Sequence, residues 1–227
     1  MIVVDALRAT TTIAAAFAAG AAEVVVCGSL RAARDAAASL AASGRRPLLC
    51  GETRSRRPKG FDFGNSSVEV SRAVLRGRTL VCATTNGTRA LSAVRGAGAV
   101  FAGALVNRAA VLRAALAEAK GRGGLTVVCA GREQGRRVAL EDVAVAGALV
   151  SLALDEGVAA TDEALAALGL WRAYGGDGLA AFREAAHGRH LEALGFGDDL
   201  TFAARADIFD VAPRLSERRG LRILAPV

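Results

Sequence analysis

Aromatic residues are few, 4% of the 227-residue chain, with Trp171 and Tyr174 alone of their kinds. The core must therefore be built from small aliphatic side chains, and a stacking platform for nucleic acid is not expected. Histidine is scarcer still. His187 and His190 sit i, i+3 in a helix-like segment, a spacing that could ligate a metal but that reads more plainly as a surface helix, with no cysteine or acidic signature nearby. Long apolar runs are missing too: the uncharged residues 9–22 fall short of the roughly 18 to 20 residues of a membrane span. Met1 is followed by apolar residues and Asp5, not by a basic segment and a long apolar run, so no secretion signal is expected and the cytoplasm is the default compartment. The four cysteines, Cys27, Cys50, Cys82 and Cys129, have no CxxC spacing and read as buried thiols. Lys59 and Lys120 are the only lysines in a chain of net charge +7. Its arginines are scattered, which fits compositional bias better than a nucleic-acid stripe.

What is present is an alternation. Apolar runs at residues 2–4, 23–27, 47–50, 79–83, 99–102 and 125–129 read as buried strands, and residues 11–19, 30–42, 68–75, 88–94 and 109–120 between them read as helices. Parallel neighbours need such crossovers, so the expected fold is a three-layer α/β/α sandwich with a mostly parallel sheet. After Gly131 the rhythm changes. Helices are expected at 140–156, 162–173 and 178–186, and further strands only at 208–211 and 221–224. Residues 1–131 are read as the α/β core and 132–227 as a helix-rich remainder packed on it, not an independent domain.

In an open parallel sheet, ligands bind outside the carboxyl ends of the strands. The first strand delivers Asp5, Arg8 and Thr10-Thr11-Thr12; the third delivers Gly51-Glu52; the fourth delivers Thr84-Thr85-Asn86-Gly87-Thr88 and then Arg89. Threonines before a helix are often only caps, but a hydroxyl-rich turn between a buried strand and a helix also suits an anion. The acids Asp5, Glu52, Asp62, Glu141 and Asp142 would each be solvated or capping residues if taken alone. Beside a phosphate cradle, they are the hard oxygen ligands that Mg²⁺ requires. A long basic loop, residues 52–65, carries Arg54, Arg56, Arg57 and Lys59 and reads either as a lid or as a solvated charge run.

Other phosphate chemistries fail on spacing. Only Cys50 and Arg56 match the Cys, five residues, Arg pattern of cysteine phosphatases, and Glu52 inside it disfavours an oxyanion. Asp5-Ala6-Leu7 lacks the second aspartate of aspartyl-phosphate phosphatases, and neither Walker A nor GxGxxG occurs.

The segments Val4-Asp5-Ala6-Leu7-Arg8-Ala9-Thr10-Thr11-Thr12, Gly51-Glu52, Gly60-Phe61-Asp62-Phe63-Gly64-Asn65-Ser66, Thr84-Thr85-Asn86-Gly87-Thr88-Arg89-Ala90, Cys129-Ala130-Gly131 and Glu141-Asp142 resemble the 2-phosphosulfolactate phosphatase family, in order and over most of the chain. The resemblance implies a Mg²⁺-dependent phosphatase acting on the phosphate ester of a 2-hydroxy carboxylic acid, the namesake substrate lying on the route to coenzyme M. Family members usually carry a further stretch ahead of the first motif, so a shortened start is expected here.

The expected mechanism places Mg²⁺ on some of Asp5, Glu52, Asp62, Glu141 and Asp142, with a water attacking the phosphorus in line. Asp5, Arg8, Glu52 and Asn86 are the expected catalytic residues; Thr10, Thr11, Asn65, Thr84, Thr85, Gly87, Thr88 and Arg89 are the expected phosphate ligands. Asp5 as covalent nucleophile is the mechanistic alternative. A non-catalytic phosphometabolite-binding protein is the alternative function. The expected partner is a small phosphorylated anion, with no nucleic acid or membrane, and a homodimer is the base-rate expectation.

Overall fold

The computed structural model describes residues 1–120 and 124–227. The alternation is present: β1 (Ile2–Val4), α1 (Ala9–Ala18), β2 (Glu23–Cys27), α2 (Leu30–Ala42), β3 (Leu48–Gly51), α3 (Ser67–Ser71), β4 (Thr79–Ala83), α4 (Gly87–Ala93), β5 (Phe101–Gly103), α5 (Arg108–Ala119) and β6 (Val127–Cys129). Then follow α6 (Leu140–Asp155), α7 (Asp162–Ala173), α8 (Gly178–Glu184), α9 (Ala186–Ala193), α10 (Gly197–Ala203), β7 (Pro213–Arg218) and β8 (Leu221–Pro226).

The sheet corrects the expectation of a mostly parallel sandwich. Its order is β3-β4-β2-β8-β7-β5-β1-β6, two parallel triplets joined by an antiparallel hairpin. β4 pairs in parallel with β2 and β3, and β1 with β5 and β6. β7 and β8 pair with each other, with β5 and with β2, all antiparallel. Two short strands separated only by Arg219 and Gly220 can form a hairpin without a crossover, and β8 then completes the open edge of β2. The strand expected at 208–211 lies instead at Pro213–Arg218. Upstream of it, the Asp207 and Phe209 amides donate to the Leu105 and Val106 carbonyls, so that segment is taken up by a loop. The helix expected over 178–186 breaks at Ala185, whose backbone is extended (φ −62°, ψ 138°), and α9 restarts beyond it.

Alternation along each strand sorts its side chains between clusters. Ile2 and Val4 join the cluster made by α5 and α6, whereas Val3 joins Val24, Val26, Leu80 and Cys82 with α1. Val25, Val81 and Ile223 face α2. Four strands separate β1 from β4 in the sheet order, roughly 24 Å if the sheet were flat. Yet the turn after β4 touches Asp5 at the end of β1. The sheet is therefore curled, and the curl gathers the ends of β1, β3 and β4.

Candidate active site at the strand ends

β1 delivers Asp5 into the turn before α1, where it is 6% exposed. Its carboxylate accepts the Ala9 amide at 3.3 Å and the Gly87 amide. A Cβ on Gly87 would lie 2.5 Å from Asp5 Oδ2 and 2.6 Å from the Ala9 methyl, so only glycine lets the turn after β4 approach so closely. The Thr10 hydroxyl accepts from the Asp5 amide at 3.0 Å and donates to the Asp5 carbonyl at 2.9 Å, and the Thr11 hydroxyl donates to Ala6 at 2.8 Å. Both hydroxyls thus hold the bend that presents Asp5, and the structure turns these two expected phosphate ligands inward.

The first turn of α6 brings a second acidic pair. Asp142 accepts the Ala6 amide at 2.8 Å and the Gly131 amide at 2.9 Å, tying the end of β1 to the end of β6. Glu141 is 3% exposed, and its Oε2 has no hydrogen-bond partner. Burial, followed by repulsion from Glu52, pushes the Asp5 carboxyl up to about 6 against the pull of its two amide donors. Burial and then Asp5 push Glu141 up to about 7. Asp142 is raised as well, by burial and by both neighbouring acids. An unpartnered buried carboxylate oxygen beside other acids is costly unless a cation joins it. Among the described residues, no three acidic, histidine or cysteine side chains converge closely enough to enclose a metal ion alone. Asp5 and Glu141 nevertheless suit Mg²⁺, which keeps several waters and binds through one or two carboxylates and phosphate oxygens.

Glu52, leaving β3, crosses to the turn after β4. Its Oε1 accepts from the amide and the hydroxyl of Thr85, at 2.7 and 2.5 Å, and its Oε2 accepts the Ser55 amide at 2.9 Å. Arg54 and Ser55 both adopt left-handed backbone, φ 50° and 64°, unfavourable for side-chain-bearing residues. The Ser55 amide on Glu52 and the Ser55 carbonyl, which accepts from Arg8 Nη2 at 2.8 Å, hold that tight turn in place. Thr84 and Thr88 close on each other: the Thr84 amide donates to the Thr88 hydroxyl at 2.7 Å, and the Thr88 amide to the Thr84 hydroxyl at 3.1 Å. Asn86 Oδ1 accepts the Gln134 amide at 3.0 Å. Asp5, Arg8, Glu52, Asn65, Thr84, Thr85 and Asn86 line one cavity of about 190 Å³, together with Leu7, Arg54, Ser55, His187 and His190.

Several expected residues lie elsewhere. Asp62 is exposed and accepts the Leu49 amide at 2.7 Å, a loop anchor outside that cavity. Arg89 is exposed on α4 and does not line the cavity. Of the four basic loop residues only Arg54 reaches it; Arg57 donates to the Asp62 carbonyl and pairs with Glu69 at 3.5 Å.

The C-terminal helices add His187 and His190 to the cavity lining, and they support Arg8 through Asp199 and Phe196, which sequence reasoning missed. His187 and His190 stack at 6.0 Å between ring centroids on the cavity rim, not on a plain surface helix. Burial, then Arg8 and His190, lower His187 to about 4, so it is neutral at pH 7. Asp199 of α10 pairs with Arg8 Nη1 at 2.8 Å, each side chain 2% exposed, and Phe196 lies under the guanidinium, 4.4 Å from ring centroid to Cζ. Asp198-Asp199 opens an apolar helix just as Glu141-Asp142 does. That shared pattern is the signal that could have found it.

The model of the family described as 2-phosphosulpholactate phosphatase matches residues 1–218. The chain belongs to that family. Relatives named "Probable 2-phosphosulfolactate phosphatase" include those of Prochlorococcus marinus (strain MIT 9313), 42% identical over 217 residues, and Thermosynechococcus vestitus, 39% identical over 218, each match covering 93% of this chain and 87% of the relative. That of Synechococcus sp. (strain WH7803) is 40% identical over 225 residues, covering 98% of this chain and 89% of the relative. By its name the family is one of phosphoric monoester hydrolases, whose substrates are small phosphorylated molecules. The polar cavity, not the larger one, gathers the strand-end acids, hydroxyls and Arg8. A groove of about 610 Å³ beside α5 and α6 is floored by Leu112, Leu116, Leu152 and Val158, with Arg113, Lys120, Asp155 and Glu156 also lining it, and holds none of the strand-end residues. The thiols stand apart as well: Cys50 donates to the Gly64 carbonyl at 3.1 Å, and burial raises Cys27 to about 11 and Cys129 to about 12. Among the described residues, no helix is long and apolar enough to cross a membrane.

Proposed function

We propose that the protein is a Mg²⁺-dependent phosphatase that hydrolyses the phosphate monoester of a 2-hydroxy carboxylic acid, with 2-phosphosulfolactate as the first candidate, giving sulfolactate and phosphate. The observation that carries this reading is the buried Asp5 carboxylate, which lines a cavity together with the Arg8 guanidinium and repels a second buried acid, Glu141, whose Oε2 has no partner. Asp5 and Glu141 would hold the cation, with Asp142 fixing the strand ends behind them; Glu52 is occupied by Thr85 and Ser55 and shapes the turn. Bound there, Mg²⁺ would draw charge from the phosphoryl oxygens and position a water for in-line attack.

The chain's own residues do the rest. Arg8 faces the equatorial phosphoryl oxygens, where charge spreads in the transition state. Asn86 orients the same group from the turn after β4 through its side-chain NH₂, while Thr85, both of whose donors go to Glu52, holds that turn in place. Arg54 and the neutral His187 border the far side, where the rest of the substrate lies. As water attacks, its oxygen bonds to phosphorus and the ester P–O bond breaks, the electron pair leaves with the alkoxide, and the proton given up by the water completes the alcohol. The two amides donated to Asp5 stabilise it as a fixed anion and blunt it as a nucleophile.

The test is phosphate release by the purified protein from 2-phosphosulfolactate, 2-phospholactate and 2-phosphoglycerate. Steady turnover of at least one supports the reading. Tight binding of these esters without release would replace the enzyme with a phosphometabolite-binding protein. Trapping a phosphoaspartate at position 5 would move the attack from water to Asp5.

A further inference from the structure

Asp199 lies 191 residues after Arg8, in the part of the chain that carries none of the strand-end motifs. It is 1% exposed and accepts four hydrogen bonds. Oδ2 takes Arg8 Nη1 at 2.8 Å, and Oδ1 takes the Ser66 hydroxyl at 2.8 Å, the Ser67 hydroxyl at 3.1 Å and the Val68 amide at 3.0 Å. Arg8 is thereby fixed on three sides: Asp199 on Nη1, the Ser55 carbonyl on Nη2 and the Phe196 ring beneath. A guanidinium has five N–H donors in a rigid fork, so donors remain for the cavity that Arg8 lines. On its other oxygen, the same carboxylate holds the chain immediately after Asn65, which lines the cavity too.

We propose that Asp199 is a positioning residue for anion binding: from α10 it sets the guanidinium of Arg8 and the segment bearing Asn65 in the orientation that receives the phosphoryl group. The inference rests on the phosphatase reading and deepens it, because it makes the C-terminal helices part of the phosphate site. A buried ion pair is weak evidence of stability for its own sake. One that freezes a cavity-lining arginine and leaves it donors to spare instead prepares a binding geometry in advance.

The experiment compares wild type, Asp199→Asn, Arg8→Gln and the double variant, each first shown to be folded. It measures KM and kcat for 2-phosphosulfolactate and the inhibition constant of inorganic phosphate. In Asp199→Asn, KM and the inhibition constant are expected to rise together, at least about tenfold. In the Arg8→Gln background the same change is expected to add less than about threefold, because the two residues act as a unit. A purely structural role would lower the active fraction, and so kcat, while leaving both constants unchanged; that result overturns the proposal. A further tenfold loss in the double variant overturns it too. Where Asp199→Asn alone does not fold, the double variant, which carries no unpaired buried cation, is compared with Arg8→Gln by the same criterion. Wild type that neither releases phosphate from any ester nor is bound by inorganic phosphate sinks the phosphatase reading and this inference with it; an active wild type indifferent to Asp199→Asn sinks this inference alone.

Discussion

The two walls of the polar cavity are built in opposite ways. The acidic wall comes from strand ends and the turns just beyond them, close to the sheet, and nearly every polar group on it is satisfied by a backbone amide or a neighbouring hydroxyl. Outside the cavity lining, Glu141 Oε2 and the Thr12 hydroxyl are buried without a partner. The basic wall comes from His187 and His190 of α9 and from Arg8, which is held by Asp199 of α10 outside the cavity lining. On one side the backbone fixes the chemistry; on the other, a single buried ion pair does. The acidic wall should therefore be intolerant of any change, whereas the basic wall should fail through Arg8.

The largest effect expected is from Asp5→Asn, which keeps shape and removes charge: turnover should fall about 10³-fold, with the folded structure retained by circular dichroism. Survival of activity would remove Asp5 from the centre. Next is Gly87→Ala. Its methyl would be forced against Asp5 Oδ2 and Ala9, costing about 1–3 kcal/mol in thermal or urea unfolding, and the displaced Asp5 should cost about a hundredfold in kcat/KM. A wild-type rate would show that the close approach of the two strand ends is not needed for catalysis.

A gentler probe is pH without metal. Asp5 rises from 3.8 to about 6 and Glu141 from 4.5 to about 7, so between pH 4 and 7 the folded chain keeps protons that the unfolded chain has already released. Stability contributed by the neutral carboxyls is present at low pH and lost as pH rises through that window. A displacement of about two units corresponds to roughly 3 kcal/mol. His187, lowered from 6.5 to about 4, works in the opposite sense as one group against three. Chelated protein is thus expected to melt lower at pH 8 than at pH 5, and added Mg²⁺ should raise the melting temperature more at pH 8. Equal Mg²⁺ responses at the two pH values would break the link between the acid cluster and a cation. Least affected of all should be Arg57→Ala or Arg89→Ala, whose side chains lie outside the cavity; kcat/KM is expected within about twofold of wild type.

The acidic wall was legible in the sequence because strands announce their own ends. A short apolar run followed by Asp5, Glu52 or Thr84 places a polar group at a sheet edge whatever the strand order turns out to be. Reading the roles of those groups was harder, since one threonine can cap, brace or bind. Thr10 and Thr11 brace the Asp5 bend, and Thr84 and Thr88 brace each other. Strand order was hidden for a different reason. Local patterning carries no record that β7 and β8 will insert between the triplets, an outcome set by pairing between residues far apart, such as Val25 with Ile223. The Arg8–Asp199 pair was hidden in the same way, because it joins segments 191 residues apart, and the acidic pair opening α10 marks only one end of it.

The most direct test of a cation shared by Asp5, Glu141 and the substrate phosphate is the rate of phosphate release from 2-phosphosulfolactate across a Mg²⁺ titration after chelation, for wild type and Glu141→Gln side by side. Release should vanish in excess EDTA and return with Mg²⁺, and Glu141→Gln should need at least about tenfold more Mg²⁺ for half the maximal rate. Full turnover in EDTA, or the same Mg²⁺ demand in both proteins, would contradict it.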